Sequence, residues 1–282
     1  MGGTVSTIYK DAPTRTVDVD GTRFAYRQLG TAEGVPVILL MHMTGVLDDW
    51  DPRVVDGLAA RHRVITFDNR GVGASQGKTP NTIAAMARDA IAFIRALGFD
   101  QVDLLGLSLG GFVVQEMVRQ EPQLVRRAIL AGTGPAGGRG IDKITSLSIR
   151  GALRGALTFK DAKHYLFFTQ TPEGKLAARQ FLERLKERTS ERDKAISLRA
   201  FRSQLKAVHA WGLQTPADLT GIRQPVLVAN GEDDLMVPSS NSFDLAQRLP
   251  NAQLRLYHDA GHVGIFQYHE EFVTQALEFL EH

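Results

Sequence analysis

Short apolar runs alternate along this chain with longer stretches in which apolar positions recur every three to four residues. Residues 35–40, 63–67, 102–105, 127–131 and 225–229 are rich in Val, Ile, Leu and Ala and are bounded by Gly, Asn or Asp. Such runs predict strands buried on both faces. Residues 253–257 predict one more. Between them, residues 83–97 carry apolar positions at helical spacing and stop at Gly98, and residues 112–119 do the same before Pro122. Strand–helix–strand repetition predicts an α/β fold, a mostly parallel sheet flanked by helices. Near the start, residues 16–19 and 24–28 flank Asp20-Gly21, the signature of a tight hairpin.

The alternation stops after Thr133. Residues 134–140 (Gly-Pro-Ala-Gly-Gly-Arg-Gly) read as a flexible joint. Residues 141–211 are then helical and amphipathic, with no strand pattern until residue 225. This divides the chain into a first core segment (1–134), a helical insertion (135–215) and a second core segment (216–282). Charge follows the same division. The 282 residues hold 33 Lys+Arg and 31 Asp+Glu, but the insertion holds 16 basic and 7 acidic residues and the remainder 17 and 24. A solvated helical face is the plain reading; steering of anionic substrates or docking on an acidic surface is the sharper one. The basic residues are spread over helices without a base-reading motif, so no nucleic-acid partner is expected.

Composition removes further classes. With no cysteine, a disulfide scaffold, a thiolate nucleophile and a Cys-ligated zinc are excluded. The longest apolar run, residues 35–41, is interrupted by Pro36, whereas a membrane span needs about 18 apolar residues. The first residues lack the apolar stretch of a secretory signal, so a soluble cytoplasmic protein is expected. Met1-Gly2 with Ser6 fits the permissive N-myristoylation pattern.

Gly-x-Ser-x-Gly occurs twice, as Gly73-Ala-Ser75-Gln-Gly77 and as Gly106-Leu-Ser108-Leu-Gly110. A chain of this length shows such a match by chance about one time in ten, so context decides. A nucleophilic serine needs a sharp turn between a buried strand and a helix. There the flanking glycines allow close approach, and the next N–H points toward a developing oxyanion. Ser108 has a strand before it and a helix after it. Ser75 lies in a loop between Asp68 and Pro80. Ser108 is therefore the candidate nucleophile and Ser75 a loop residue.

Serine is a weak nucleophile without a base, and the base needs an orienting acid. His262, in Asp259-Ala-Gly261-His262-Val-Gly264, directly follows the strand at 253–257. Its glycine neighbours suit an imidazole on an exposed loop. His258 is the competitor, read as a packed or capping residue at the strand end. The acid is expected after the strand at 225–229, where Glu232, Asp233 and Asp234 compete. Like charges disfavour burying all three as anions.

These pieces together resemble the α/β-hydrolase superfamily over about residues 16–280. The resemblance rests on residues 104–111 around Ser108, Asp68-Asn-Arg-Gly-Val-Gly-Ala-Ser75, Gly231-Glu-Asp-Asp-Leu-Met-Val-Pro238 and Asp259-Ala-Gly-His262, in that order. It implies that Asp234, at the fourth position of its segment, is the acid. It also implies oxyanion donors at the backbone N–H groups of Met43 and Leu109, and a cap domain in the insertion. Where many members carry His-Gly after the third strand, this chain has Met41-His-Met43-Thr-Gly45. Counting back from Trp50 gives Met43 as donor, with Thr44 as the neighbouring alternative. Epoxide hydrolases and haloalkane dehalogenases of this fold use aspartate at the nucleophile position, so Ser108 implies acyl transfer instead.

The resemblance thus points to a serine hydrolase with a Ser108–His262–Asp234 triad, an acyl-enzyme intermediate and a small ester or lactone substrate, with no metal and no cofactor. Tyr165, Phe167, Phe168 and Trp211 are candidates to line the acyl pocket. The alternatives are a cofactor-free perhydrolase of the haloperoxidase type and a non-catalytic ligand receptor on the same fold. Natural substrate and oligomeric state are not legible.

Overall fold

A computed structural model describes residues 8–30 and 33–282; the myristoylation pattern lies outside the described residues. The chain runs β1 (Arg15–Val19), β2 (Thr22–Leu29), β3 (Val37–Leu40), α1 (Pro52–Ala59), β4 (Val64–Phe67), α2 (Ile83–Ala96), β5 (Val102–Leu107), α3 (Leu109–Gln120) and β6 (Val125–Ala131). It continues through α4 (Ile144–Thr158), α5 (Lys163–Leu166), α6 (Pro172–Arg184) and α7 (Leu198–Gly212). It closes with β7 (Val226–Gly231), α8 (Ser240–Arg248), β8 (Ala252–Tyr257), α9 (Gly264–Gln267) and α10 (His269–Glu281).

The strands form one eight-stranded sheet in the order β1-β2-β4-β3-β5-β6-β7-β8. The β1–β2 and β2–β4 pairs are antiparallel, and the pairs from β4–β3 to β7–β8 are parallel. The β1–β2 turn places Asp20 and Gly21 at φ 50° and 76°, the left-handed pair that a two-residue hairpin requires. Side chains of the central strands alternate between two cores. Val102 and Leu104 of β5, with Val226 and Val228 of β7, join the core under α2 and α3. Leu105 and Leu107, with Leu227 and Ala229, join the core under α1 and α10. Burial on both faces explains why these strands read as continuous apolar runs.

Helix α3 begins at Leu109 rather than at Phe112, where the sequence pattern starts; its first turn contains Gly110 and Gly111, poor helix formers that mask it. Packing demands them. A Cβ at Gly110 would sit 2.1 Å from the Leu40 carbonyl oxygen, and one at Gly106 would sit 2.5 Å from the Gly110 carbonyl oxygen. Gly110→Ala is expected to lower stability by about 1–3 kcal/mol, since no nearby backbone can yield; the midpoint of urea unfolding measures it.

The insertion folds as α4–α7, but residues 185–197 are not helical. This stretch is tied down by hydrogen bonds instead: Arg188 donates to the carbonyls of Lys10 and Ala12, and the Asp193 N–H donates to Asp48. Helix α6 is anchored to the sheet domain by Arg184, which donates to both oxygens of the fully buried Asp51 and to the Phe266 carbonyl. Among the described residues no helix is long and apolar enough to cross a membrane.

Candidate active site

Ser108 stands between β5 and α3 with φ 55° and ψ −114°, a left-handed backbone that costs a non-glycine residue of the order of 1–3 kcal/mol. The turn is held because the Ser108 N–H donates to Ala131 at the end of β6 and the Thr133 hydroxyl donates to the Ser108 carbonyl. Ser75 is placed differently. Its hydroxyl donates to the Asp68 carbonyl at 2.7 Å and accepts the Ala25 N–H at 2.9 Å. Both hydrogen bonds pin a loop, as the sequence suggested for this second motif.

The loops after β7 and β8 are joined by backbone hydrogen bonds, Glu232 N–H to Tyr257 and Asp233 N–H to Ala260. This brings Asp234 and His262 together: Nδ1 of His262 lies 2.8 Å from Oδ2 of Asp234, with both side chains buried. An imidazole nitrogen facing a carboxylate carries the proton, which leaves Nε2 as the basic nitrogen. The other Asp234 oxygen accepts the Met236 and Val237 N–H groups at 2.8 and 2.9 Å. Of the three competing acids, Asp233 is exposed and Glu232 pairs with His258 at 2.9 Å. His258 is itself 89% exposed, so it is a solvated partner of Glu232 rather than a packed residue. His262, expected on an exposed loop, is buried. The α5–α6 connection covers it: a Cβ on the adjacent Gly261 would lie 2.5 Å from the Phe167 carbonyl.

Ser108 and His262 line one cavity of about 200 Å³, together with His42, Met43, Phe112 and Phe167. A larger cavity of about 760 Å³ lies beside α2, α3 and α7, but its lining includes none of Ser108, Asp234 and His262. Chemistry, not size, therefore selects the smaller cavity as the candidate active site. Of the four aromatic residues read as pocket candidates, Phe167 lines it. Tyr165 does not; its hydroxyl donates to Thr158, and the Arg154 guanidinium lies 4.2 Å from its ring centre. Phe168 packs on Phe181. Trp211 stacks on the back of Phe112 at 5.6 Å and lines the larger cavity. The lining from Ile144, Ser148, Phe201 and Val208 is not legible in the sequence, because their inward faces are set by helix placement, and Met236 joins it from the loop after β7.

The loop after β3 supplies Met43 and Thr44 to this cavity. The Thr44 N–H is taken by the side-chain oxygen of the fully buried Gln204 at 2.8 Å. Of the two candidate donors, the Thr44 N–H is thus already paired within the protein. Among the described residues no cluster of His, Asp and Glu is arranged to hold a metal ion.

His42 borders the same cavity, and burial pushes its pKa down from 6.5 to about 4. In the unfolded chain this histidine takes up a proton as pH falls below 6.5; in the folded chain it resists until about 4. Its contribution to stability is therefore present above pH 6.5 and is lost as pH falls toward 4, a change of the order of 3 kcal/mol. His42→Asn is expected to flatten this part of the stability–pH curve, measured as urea midpoints from pH 7 to 4.

A sequence profile described as the alpha/beta hydrolase fold matches residues 35–267. BpoC of Mycobacterium tuberculosis, provisionally named a non-heme bromoperoxidase, is 31% identical over 270 residues, covering 90% of this chain and 96% of BpoC. A non-heme chloroperoxidase of Streptomyces lividans is 28% identical, covering 92% of this chain and 95% of its own. An alpha/beta hydrolase fold protein from Chitinophaga pinensis has a solved structure that superposes with a TM-score of 0.93 at 40% identity, covering 97% of this chain and 98% of that one. This chain belongs to the alpha/beta hydrolase fold family.

Proposed function

We propose that this protein is a serine hydrolase that cleaves a small carboxylic ester or lactone through an acyl-enzyme. The observation that carries the reading is the buried 2.8 Å contact between Asp234 and His262 beside a cavity shared with Ser108. In this reading the Ser108 hydroxyl attacks the substrate carbonyl while Nε2 of His262 takes its proton. The Met43 and Leu109 N–H groups receive the oxyanion. His262 then protonates the departing alkoxide, and water, deprotonated by the same nitrogen, releases the acid. Residues 135–215 act as the cap that roofs the cavity. At about 200 Å³ the cavity falls below the roughly 300–1,000 Å³ of pockets for drug-sized ligands. Its Phe112, Leu166 and Phe167 walls favour a short apolar acyl group.

Likeness to bromo- and chloroperoxidases favours a second reading, a perhydrolase. There hydrogen peroxide replaces water in the second half-reaction and the acyl-enzyme yields a peracid. A panel of p-nitrophenyl esters and lactones, run beside peracid formation from acetate and peroxide, tests both. The first reading expects saturable hydrolysis that weakens as the acyl chain lengthens. Peracid formation faster than any hydrolysis supports the second, and inactivity across the whole panel contradicts both.

Gln204 is a positioning residue in this scheme, because it holds the Thr44 N–H and so fixes the loop that presents Met43. One oxyanion donor is worth about 2.7–4 kcal/mol. Gln204→Ala, which loosens rather than removes a donor, is expected to lower kcat about tenfold with KM nearly unchanged. Steady-state kinetics on the best ester of the panel measures the split, and a rise in KM alone contradicts the assignment.

A further inference from the structure

Helix α4 buries Ile144, Ser148, Gly151 and Gly155, a single stripe at helical spacing. The two glycines let that stripe pack closely: a Cβ at Gly151 would lie 2.4 Å from Leu166, and one at Gly155 2.7 Å from the Lys160 carbonyl. Away from this stripe α4 and the turn after it leave large apolar side chains in water. Ile149 is 51%, Leu153 60%, Leu157 81% and Phe159 98% exposed. These are four of the ten exposed large apolar residues among the described residues, gathered within residues 149–159. Scattered apolar residues need no explanation, but a contiguous group does.

Phe159 sharpens the point. It ends α4 at φ 54° and ψ 36°, the left-handed position that glycine fills without cost and that a bulky side chain strains. Local structure gains nothing from an aromatic ring at this place, since the ring touches almost nothing. Charge then narrows the occupant. Between Asp142 and Asp161 the chain carries Lys143, Arg150, Arg154 and Lys160 and no further acidic residue, and Asp161 pairs with Lys163 at 3.7 Å. A second copy of this surface would bring cations against cations. An apolar helix face set among lysine and arginine is instead the pattern of helices that lie in the headgroup region of anionic bilayers.

We propose that α4 and the turn at 157–160 dock this protein on an anionic lipid surface. Leu157 and Phe159 enter the interface, and the flanking cations meet lipid phosphates. The same helix contributes Ile144, Ser148 and Ala152 to the lining of the Ser108 cavity, so docking brings the cavity close to the lipid phase. The inference stands on the surface of α4 and is independent of the acyl-transfer reading.

Flotation of the full chain with phosphatidylcholine vesicles, with and without phosphatidylglycerol, tests it. Binding is expected with the anionic vesicles only and is expected to weaken as salt screens the charges. Phe159→Gly removes the ring and relieves the left-handed backbone. It is expected to cut partitioning about tenfold while the thermal midpoint stays level or rises, so a folding defect cannot mimic the result. Equal partitioning into both vesicle types, no partitioning into either, or wild-type binding by Phe159→Gly overturns the proposal. So does a wild-type dimer that Phe159→Gly dissolves, since the face would then be covered by a second copy.

Discussion

Ser108→Ala is expected to lower kcat for ester hydrolysis about a million-fold while the fold persists. The magnitude follows from removing a nucleophile whose base and acid then have nothing to activate; residual turnover about 10³–10⁴ over water is the share left to oxyanion binding and substrate positioning. The hydroxyl itself has no role in holding the turn. Its neighbours do that work: the Ser108 N–H on Ala131 and the Thr133 hydroxyl on the Ser108 carbonyl, and both survive the substitution. Circular dichroism and the urea midpoint should therefore match the parent. Ser75→Ala should behave in the opposite way. It removes two buried hydrogen bonds and costs stability, about 1–3 kcal/mol, with kcat little changed. Full activity in Ser108→Ala would remove the nucleophile from the scheme.

Asp234→Asn carries the second largest expected effect, a loss in kcat of about 10⁴-fold. An asparagine can keep its side-chain carbonyl on the Met236 and Val237 N–H groups, which now bond Oδ1 of Asp234. Its NH₂ then faces Nδ1 of His262. A donor there can be accepted only by an unprotonated Nδ1, which moves the imidazole proton to Nε2, where Ser108 needs a base. The loop geometry is preserved and the tautomer is wrong. Asp233→Asn provides the contrast, because Asp233 is exposed and should tolerate the change within about twofold, as surface substitutions do. Pre-steady-state acylation rates for the two variants measure the difference, and a large loss in Asp233→Asn with none in Asp234→Asn would reassign the acid.

The sheet was legible because its central strands are buried on both sides, and only apolar side chains satisfy that environment. The hairpin was legible because Asp20-Gly21 adopts a backbone few other pairs tolerate. The start of α3 was not, because Gly110 and Gly111 are chosen for contact with β3 and Thr133 and depress the helix signal. Helix α1 carries a local start signal, with Asp51 as cap and Pro52 in the first turn. Within the site, Ser108 and His262 were marked by their flanking glycines. The choice of Asp234 among three adjacent carboxylates rested on the family resemblance; in the fold it is the buried one, while Glu232 and Asp233 face water. The pocket was the least legible part. Aromatic residues mark burial, and Phe168 and Trp211 satisfy it by packing on Phe181 and Phe112, while Tyr165 stays half-buried with its hydroxyl on Thr158. Which side of a helix faces the cavity depends on how α4 and α7 sit over the sheet, and no local pattern encodes that.

The central claim is that the Ser108 hydroxyl is activated by the His262–Asp234 pair. Labelling with a fluorophosphonate, followed by peptide mass spectrometry, tests it most directly, because an activated serine displaces fluoride from the reagent to form a stable phosphonate ester. The account predicts one adduct, on the peptide containing Ser108, formed rapidly in the parent, slowly in Asp234→Asn and not at all in His262→Ala. An adduct on Ser75, or labelling of Ser108 that is unchanged in His262→Ala, would contradict it.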